Sequence, residues 1–169
     1  MLNIDEISQD IDLFLEDCTS LIVLGIGNDI RGDDGLGPYI INQLTDLKES
    51  NGDLENIHLI NGGSVPENFT GLIKKIGPSH MIIVDATLMN EEAGFIKLVN
   101  KEDISNVSIS THSMSLTYLI KYLEQDIDFE LIFIGIQPEN MDLTFELSDK
   151  IKDSSDMIVD LLFSKVLDI

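Results

Sequence analysis

The sequence predicts an α/β fold: a single three-layer domain with a twisted, mostly parallel sheet, helices on both faces and one antiparallel edge strand. Three observations lead there. Short apolar runs alternate along the chain with segments of helical periodicity. The runs are continuously apolar, as strands covered on both faces require. One of them, Phe95 to Val99, follows a short turn introduced by Gly94, which suits an antiparallel edge.

The elements follow in order. Residues Leu2 to Cys18 carry Ile4, Ile7, Ile11, Phe14, Leu15 and Cys18 at helical spacing, with an acidic opposite face. This predicts an amphipathic helix over 1–19 appended to a domain over 20–169. Such a helix packs on the domain or on a twin subunit, the second case giving a homodimer. Its polar face has no Lys or Arg for a membrane surface. Leu21 to Leu24 reads as a buried strand, followed by a glycine-rich loop and a helix from Gly35 to Leu47. Ile57 to Ile60 is a second strand, then Gly62-Gly63 and a helix over Glu67 to Ile76. Met81 to Val84 is a third strand that ends on Asp85. Leu116 to Leu123 is helical, Leu131 to Ile134 is a strand, and Ser148 caps a final helix reaching Leu167.

Composition narrows the partners. The 169 residues, 43% of them hydrophobic, suffice for one domain with a real core. With 31 acidic against 10 basic residues the net charge is −21. That field repels nucleic-acid phosphates and anionic headgroups, so no nucleic acid and no membrane insertion is expected. It suits metal ions or a basic protein segment. No run approaches the roughly 20 apolar residues of a membrane span, and the N-terminus lacks a signal-peptide pattern. The lone Cys18 cannot form an internal disulfide. A cytoplasmic location is the expectation.

In open sheets of this kind, ligands gather beyond the carboxyl ends of the strands. After the first strand comes Gly25-Ile26-Gly27-Asn28-Asp29-Ile30-Arg31-Gly32-Asp33-Asp34-Gly35. Ile30 stands where a dinucleotide fingerprint needs glycine, and Asp33-Asp34 stand where a phosphate loop needs Lys and Ser or Thr. Two acids at a helix N-terminus suit its dipole but repel phosphate, so the loop favours a cation, or one of the acids simply caps the helix. Arg31, the chain's only arginine, reads as a local salt-bridge partner of that pair or as a substrate-orienting group. Asp85 closes an apolar strand, a costly place for a carboxylate with nothing to pair it. His112 precedes a helix, whereas His58 and His80 border strands and read as surface or packing histidines. Asp34, Asp85 and His112 should project over one sheet edge, where two carboxylates and an imidazole can hold a divalent transition metal. The ligand types do not choose between nickel, zinc and manganese.

Five motifs in order then match a known family. They are Gly25-Ile26-Gly27-Asn28 with Asp33-Asp34-Gly35-Leu36-Gly37; Gly62-Gly63-Ser64-Val65-Pro66-Glu67-Asn68; Ile83-Val84-Asp85-Ala86; Ser110-Thr111-His112-Ser113-Met114; and Gly135-Ile136-Gln137-Pro138. Over about residues 20–165 the chain resembles the [NiFe]-hydrogenase maturation endopeptidases, especially the branch serving energy-converting or hydrogen-evolving hydrogenases. The resemblance implies an enzyme that removes the C-terminal extension of a hydrogenase large-subunit precursor after nickel insertion. The nickel would be supplied by the substrate and serve as the recognition signal, and other divalent metals could occupy the site in vitro. By the same resemblance Asp34, Asp85 and His112 contact the metal, with a direct catalytic part as the further expectation. Gly62, Gly63 and Ser64, with Asn61 before them, match a loop tied to substrate recognition or cleavage.

One position departs. The family commonly has aspartate before the glycine pair, where Asn61 stands; asparagine can hydrogen-bond but cannot serve as a base. Asp33 is then the nearest replacement carboxylate. No Ser or Cys sits beside a base in sequence, which disfavours a covalent mechanism. A phosphoacceptor receiver domain would need its acidic pair directly after the first strand and a lysine after the last, and neither is present. A metal-binding maturation chaperone without catalysis is the alternative that Asn61 keeps open.

Overall fold

A computed structural model describes residues 4–106 and 116–169. Five strands form one sheet: β1 (Leu21–Ile26), β2 (Ile57–Gly63), β3 (His80–Ala86), β4 (Ile96–Asn100) and β5 (Glu130–Ile136), in the order β2-β1-β3-β5-β4. All neighbours are parallel except β4, which runs antiparallel to β5 at the edge. The expected class therefore holds, down to the antiparallel edge strand after Gly94. The strands β1 and β3 are buried along their whole length, which is why their sequences are continuously apolar instead of alternating.

Successive residues of each strand feed opposite faces of the sheet. Leu21, Val23, Ile82, Val84, Ile132 and Ile134 pack with α2 (Leu36–Ser50), α5 (Asp149–Val166) and Ile7 and Ile11 of α1 (Ile4–Phe14). Ile22, Leu24, Met81, Ile83, Leu131 and Phe133 pack with α3 (Thr70–Ile76) and α4 (Leu116–Glu124). The β1–α2–β2 crossover moves one way along the sheet, and β2–α3–β3 moves back past β1. Right-handed crossovers in opposite directions must lie on opposite faces, as these do.

The helical boundaries differ from the sequence expectation where local chemistry intervenes. The segment expected to be one helix from Glu67 divides into a 3₁₀ turn at Pro66–Phe69 and α3. Proline pre-sets the first turn, and Gly77 ends α3 in the left-handed region with φ 60°. Ser148 is the N-cap residue of α5 as expected, but its hydroxyl makes no capping bond; it donates to Asp33 instead. Nor does an acid cap α2, whose N-cap is Gly35.

Candidate active site

Strand order reverses between β1 and β3, because the chain leaves β1 toward β2 and returns to β3 on the other side. At such a switch point the loops leaving the two strands diverge and open a crevice at their carboxyl ends. The loop after β1 carries Asp34, and Asp85 lies near the end of β3, so both strand ends put an acid there.

Two glycines shape the first loop. Gly27 adopts φ 144°, and a Cβ there would overlap the Asp34 carbonyl. Gly37 lies so close to the Ile26 backbone that any side chain would drive α2 off the sheet. The chain is thus folded back tightly on the end of β1, and the 3₁₀ turn Gly32–Gly35 packs against β3. The Asn28 N–H donates to Asp34 Oδ2 at 3.2 Å. Asp34 is only 5% exposed and Asp85 fully buried. Two carboxylates placed this deeply on neighbouring strand ends concentrate negative potential, which favours a cation arriving from outside. Asp85 has the parity of Met81 and Ile83, so it faces the side of the sheet that α4 covers.

His112, the third expected member, falls within 107–115, outside the described residues. α4 begins at Leu116, the first described residue after that segment, on the face to which Asp85 is directed. Among the described residues no three His, Cys, Asp or Glu side chains gather as a metal site. What the described fold supplies is therefore the pair of acids.

The neighbouring acid, Asp33, does something different. It is fully buried, and its Oδ2 accepts the N–H groups of Glu139 (2.8 Å) and Asn140 (2.7 Å) and the Ser148 hydroxyl (2.9 Å). Its Oδ1 accepts the Ser148 N–H at 2.7 Å. Four hydrogen bonds engage both oxygens and pin the segment between β5 and α5 to the first loop. Sequence inspection did not indicate this clamp, since its partners lie more than a hundred residues away.

Arg31 joins the same junction through its backbone, bridging Thr144. Its side chain is exposed and makes no salt bridge among the described residues, so the pairing with Asp33 or Asp34 is not formed. Beside it, the end of β2 forms the other wall. Register slips between Gly25 and Ile26, leaving Gly62 as the extra residue of a bulge, and Gly63 turns left-handed at φ 55°. The Asn61 Oδ1 accepts the Gly63 N–H at 3.1 Å, and the Gly63 carbonyl accepts the Gly27 N–H at 2.9 Å. Asn61 thus shapes the turn, and its amide has no acid–base capacity. Ser64 is half-buried just beyond. Glu67, in the following 3₁₀ turn, holds one buried carboxylate oxygen, Oε2, with no hydrogen-bond partner among the described residues.

Cys18, His80 and His58 lie at the opposite, amino-terminal ends of the strands. Cys18 precedes β1, in contact with Ser79 Oγ at 3.8 Å, and burial pushes its thiol pKa up, away from a reactive thiolate. His80 opens β3, is buried against Phe14 in an edge-on ring contact of 5.0 Å, and has its pKa lowered by burial. His58 opens β2, half-buried, with its pKa lowered by burial and then by Lys48. Both are packing residues.

Comparison with known proteins places this arrangement. A family model described as hydrogenase maturation protease matches residues 39–165. The hydrogenase 3 maturation protease of Escherichia coli is 36% identical over 138 residues, covering 81% of this chain and 85% of that protein. The solution structure of the endopeptidase HycI from Escherichia coli superposes with a TM-score of 0.71 at 34% identity, covering 84% of this chain and 88% of that one. The crystal structure of the [NiFe] hydrogenase maturation protease HycI from Thermococcus kodakarensis superposes with a TM-score of 0.83 at 26% identity, covering 95% and 99%. A switch point with Asp34 and Asp85 on its neighbouring strand ends, and the Gly62 bulge on the adjacent strand, is thus set in a chain that belongs to the hydrogenase maturation protease family and is a peptidase.

Proposed function

We propose that this enzyme removes the C-terminal extension of a [NiFe]-hydrogenase large-subunit precursor after nickel insertion, and that it recognises the nickel carried by the substrate. The observation that carries the proposal is the pair of deeply placed acids, Asp34 and Asp85, at the switch point of a family fold. With His112 they complete a set of two carboxylates and one imidazole, whose chemistry fits a divalent transition metal with open positions. An empty precursor forfeits the metal contribution to binding. A difference of about 3 kcal/mol gives roughly a hundredfold discrimination.

The roles then divide. Asp34, Asp85 and His112 read the finished metal site, and Asn61, Gly62, Gly63 and Ser64 with Arg31 position the polypeptide. Asp33 holds the loop and does not cut. Any activation of water or the scissile carbonyl by the metal is chemistry the substrate's nickel brings with it. The cytoplasm, where precursors are assembled, is the compartment this activity requires.

The test is incubation of the purified enzyme with nickel-loaded and nickel-free precursor, alongside His112→Ala and Asp85→Asn. Cleavage confined to the loaded precursor, and lost in both variants, is the expected result. Equal cleavage of both precursors, or full activity of His112→Ala, sinks the proposal. Nickel-dependent binding with no processing by the wild type would identify a maturation chaperone instead.

A further inference from the structure

The segment between β5 and α5 carries the two most exposed large hydrophobic side chains among the described residues. Leu143 and Phe145 are each 81% exposed, and Ile30 is 44% exposed. These three are neighbours through main-chain bonding. The Thr144 N–H donates to the Ile30 carbonyl at 3.1 Å, and the Gly32 N–H donates to the Thr144 carbonyl at 2.8 Å. The Arg31–Thr144 bridge is parallel, so Ile30 stands level with Leu143. The Asp33 clamp fixes the same segment from beneath. Two large apolar side chains on a backbone tied to Gly32, itself two residues before Asp34, are a surface prepared for a partner.

Its border specifies that partner. Asp29, Asp142 and Glu146 adjoin the apolar residues along the chain and are all exposed, in a chain whose net charge is −21. An apolar centre within an acidic rim matches a segment with apolar residues flanked by Lys or Arg. A lipid surface or nucleic acid would be repelled by the same rim.

From this we infer that Ile30, Leu143 and Phe145 form a docking site for a basic, apolar-centred segment of the precursor polypeptide, separate from the metal-reading acids. The inference rests on the proposed function, because the occupant is the substrate of that reaction. Docking there brings the precursor's metal site to Asp34 and sets which precursors are accepted.

The test uses the full-length enzyme and nickel-loaded precursor. Leu143→Ser combined with Phe145→Ser should raise KM at least tenfold while kcat stays within twofold and the melting temperature is unchanged. Asp142→Asn with Glu146→Gln should raise KM several-fold at low salt, with the difference vanishing at high salt as screening removes the rim's contribution. Unchanged KM in both variants, with the wild type active, overturns the docking site but leaves the proposed function standing. Sedimentation showing a wild-type dimer that the Leu143→Ser, Phe145→Ser variant dissociates also overturns it, since a second copy would then own the surface. A wild type that cleaves no precursor is a failure of the underlying function, and a separate binding measurement on the same precursor tells whether docking survives it.

Discussion

Replacing Asp33 by asparagine tests the division of labour between the two adjacent acids. The carboxylate accepts four hydrogen bonds at full burial. In its best pose, asparagine keeps its oxygen where Oδ2 receives three bonds and sets its NH₂ at the Oδ1 position. There it faces the Ser148 N–H, donor against donor. One charge-assisted bond is lost and a buried donor stranded, while the three remaining bonds become neutral and weaker. With bonds to charged groups worth about 1.5–3 kcal/mol, the expected loss is about 2–4 kcal/mol, limited above by the option of releasing only the loop. At about 2–4 °C per kcal/mol for a domain of this size, the melting temperature should fall by about 5–15 °C.

Calorimetry measures the fall, and hydrogen exchange locates it. Protection should be lost first at the amides of Glu139, Asn140 and Ser148. Precursor cleavage, measured well below the transition, should survive in part, because the loop is loosened and no reacting group is removed. An Asp33→Asn variant with unchanged melting temperature, unchanged protection and abolished cleavage would refute the reasoning and make Asp33 the cutting carboxylate.

Two further outcomes follow from buried titratable groups. His80 has a folded pKa below its usual value near 6.5, so the unfolded chain takes up its proton first. Its contribution to stability is complete above about pH 6.5 and is lost as pH falls through the lower folded value. Thermal melts between pH 7.5 and 5.5 should therefore decline less in His80→Asn than in wild type, and equal slopes would clear His80 of the effect. Glu67→Met replaces a side chain holding a buried oxygen with no hydrogen-bond partner among the described residues by an apolar one of similar length, and should raise stability by about 1 kcal/mol, read as a melting increase of a few degrees. The cost sits beside the Gly62–Ser64 turn, so precursor cleavage should drop in the same variant; a protein more stable and equally active would show that oxygen to be idle.

Most of the fold is legible in the residues, because burial on both faces leaves a direct trace. Ile82-Ile83-Val84 can be so apolar only if helices cover both sides, and Gly94 before Phe95 marks a reversal that makes β4 the antiparallel edge. The placement of Asp34 and Asp85 follows from the same alternation once strand ends are known. Contacts between distant segments leave no such trace. The bridge from Arg31 to Thr144 joins two stretches without strand character, and the Ser148 hydroxyl serves Asp33 although its position before a helix implies capping.

Asp33-Asp34 shows why composition at a site underdetermines chemistry. In the sequence the two are indistinguishable, adjacent acids at the mouth of a helix. The backbone there is 3₁₀, in which successive side chains point about 120° apart. One carboxylate is therefore sent toward the segment before α5 and its four donors, while the other remains beside the Asn28 N–H at the switch point. A carboxylate whose oxygens already accept three main-chain N–H groups and a hydroxyl has little acceptor capacity left for a ligand, however well placed it looks in the sequence. Its full engagement in turn holds rigid the loop that presents Leu143 and Phe145. Asp33 is thus a structural clamp, and of the two adjacent acids only Asp34 stays at the switch point, beside the Asn28 N–H.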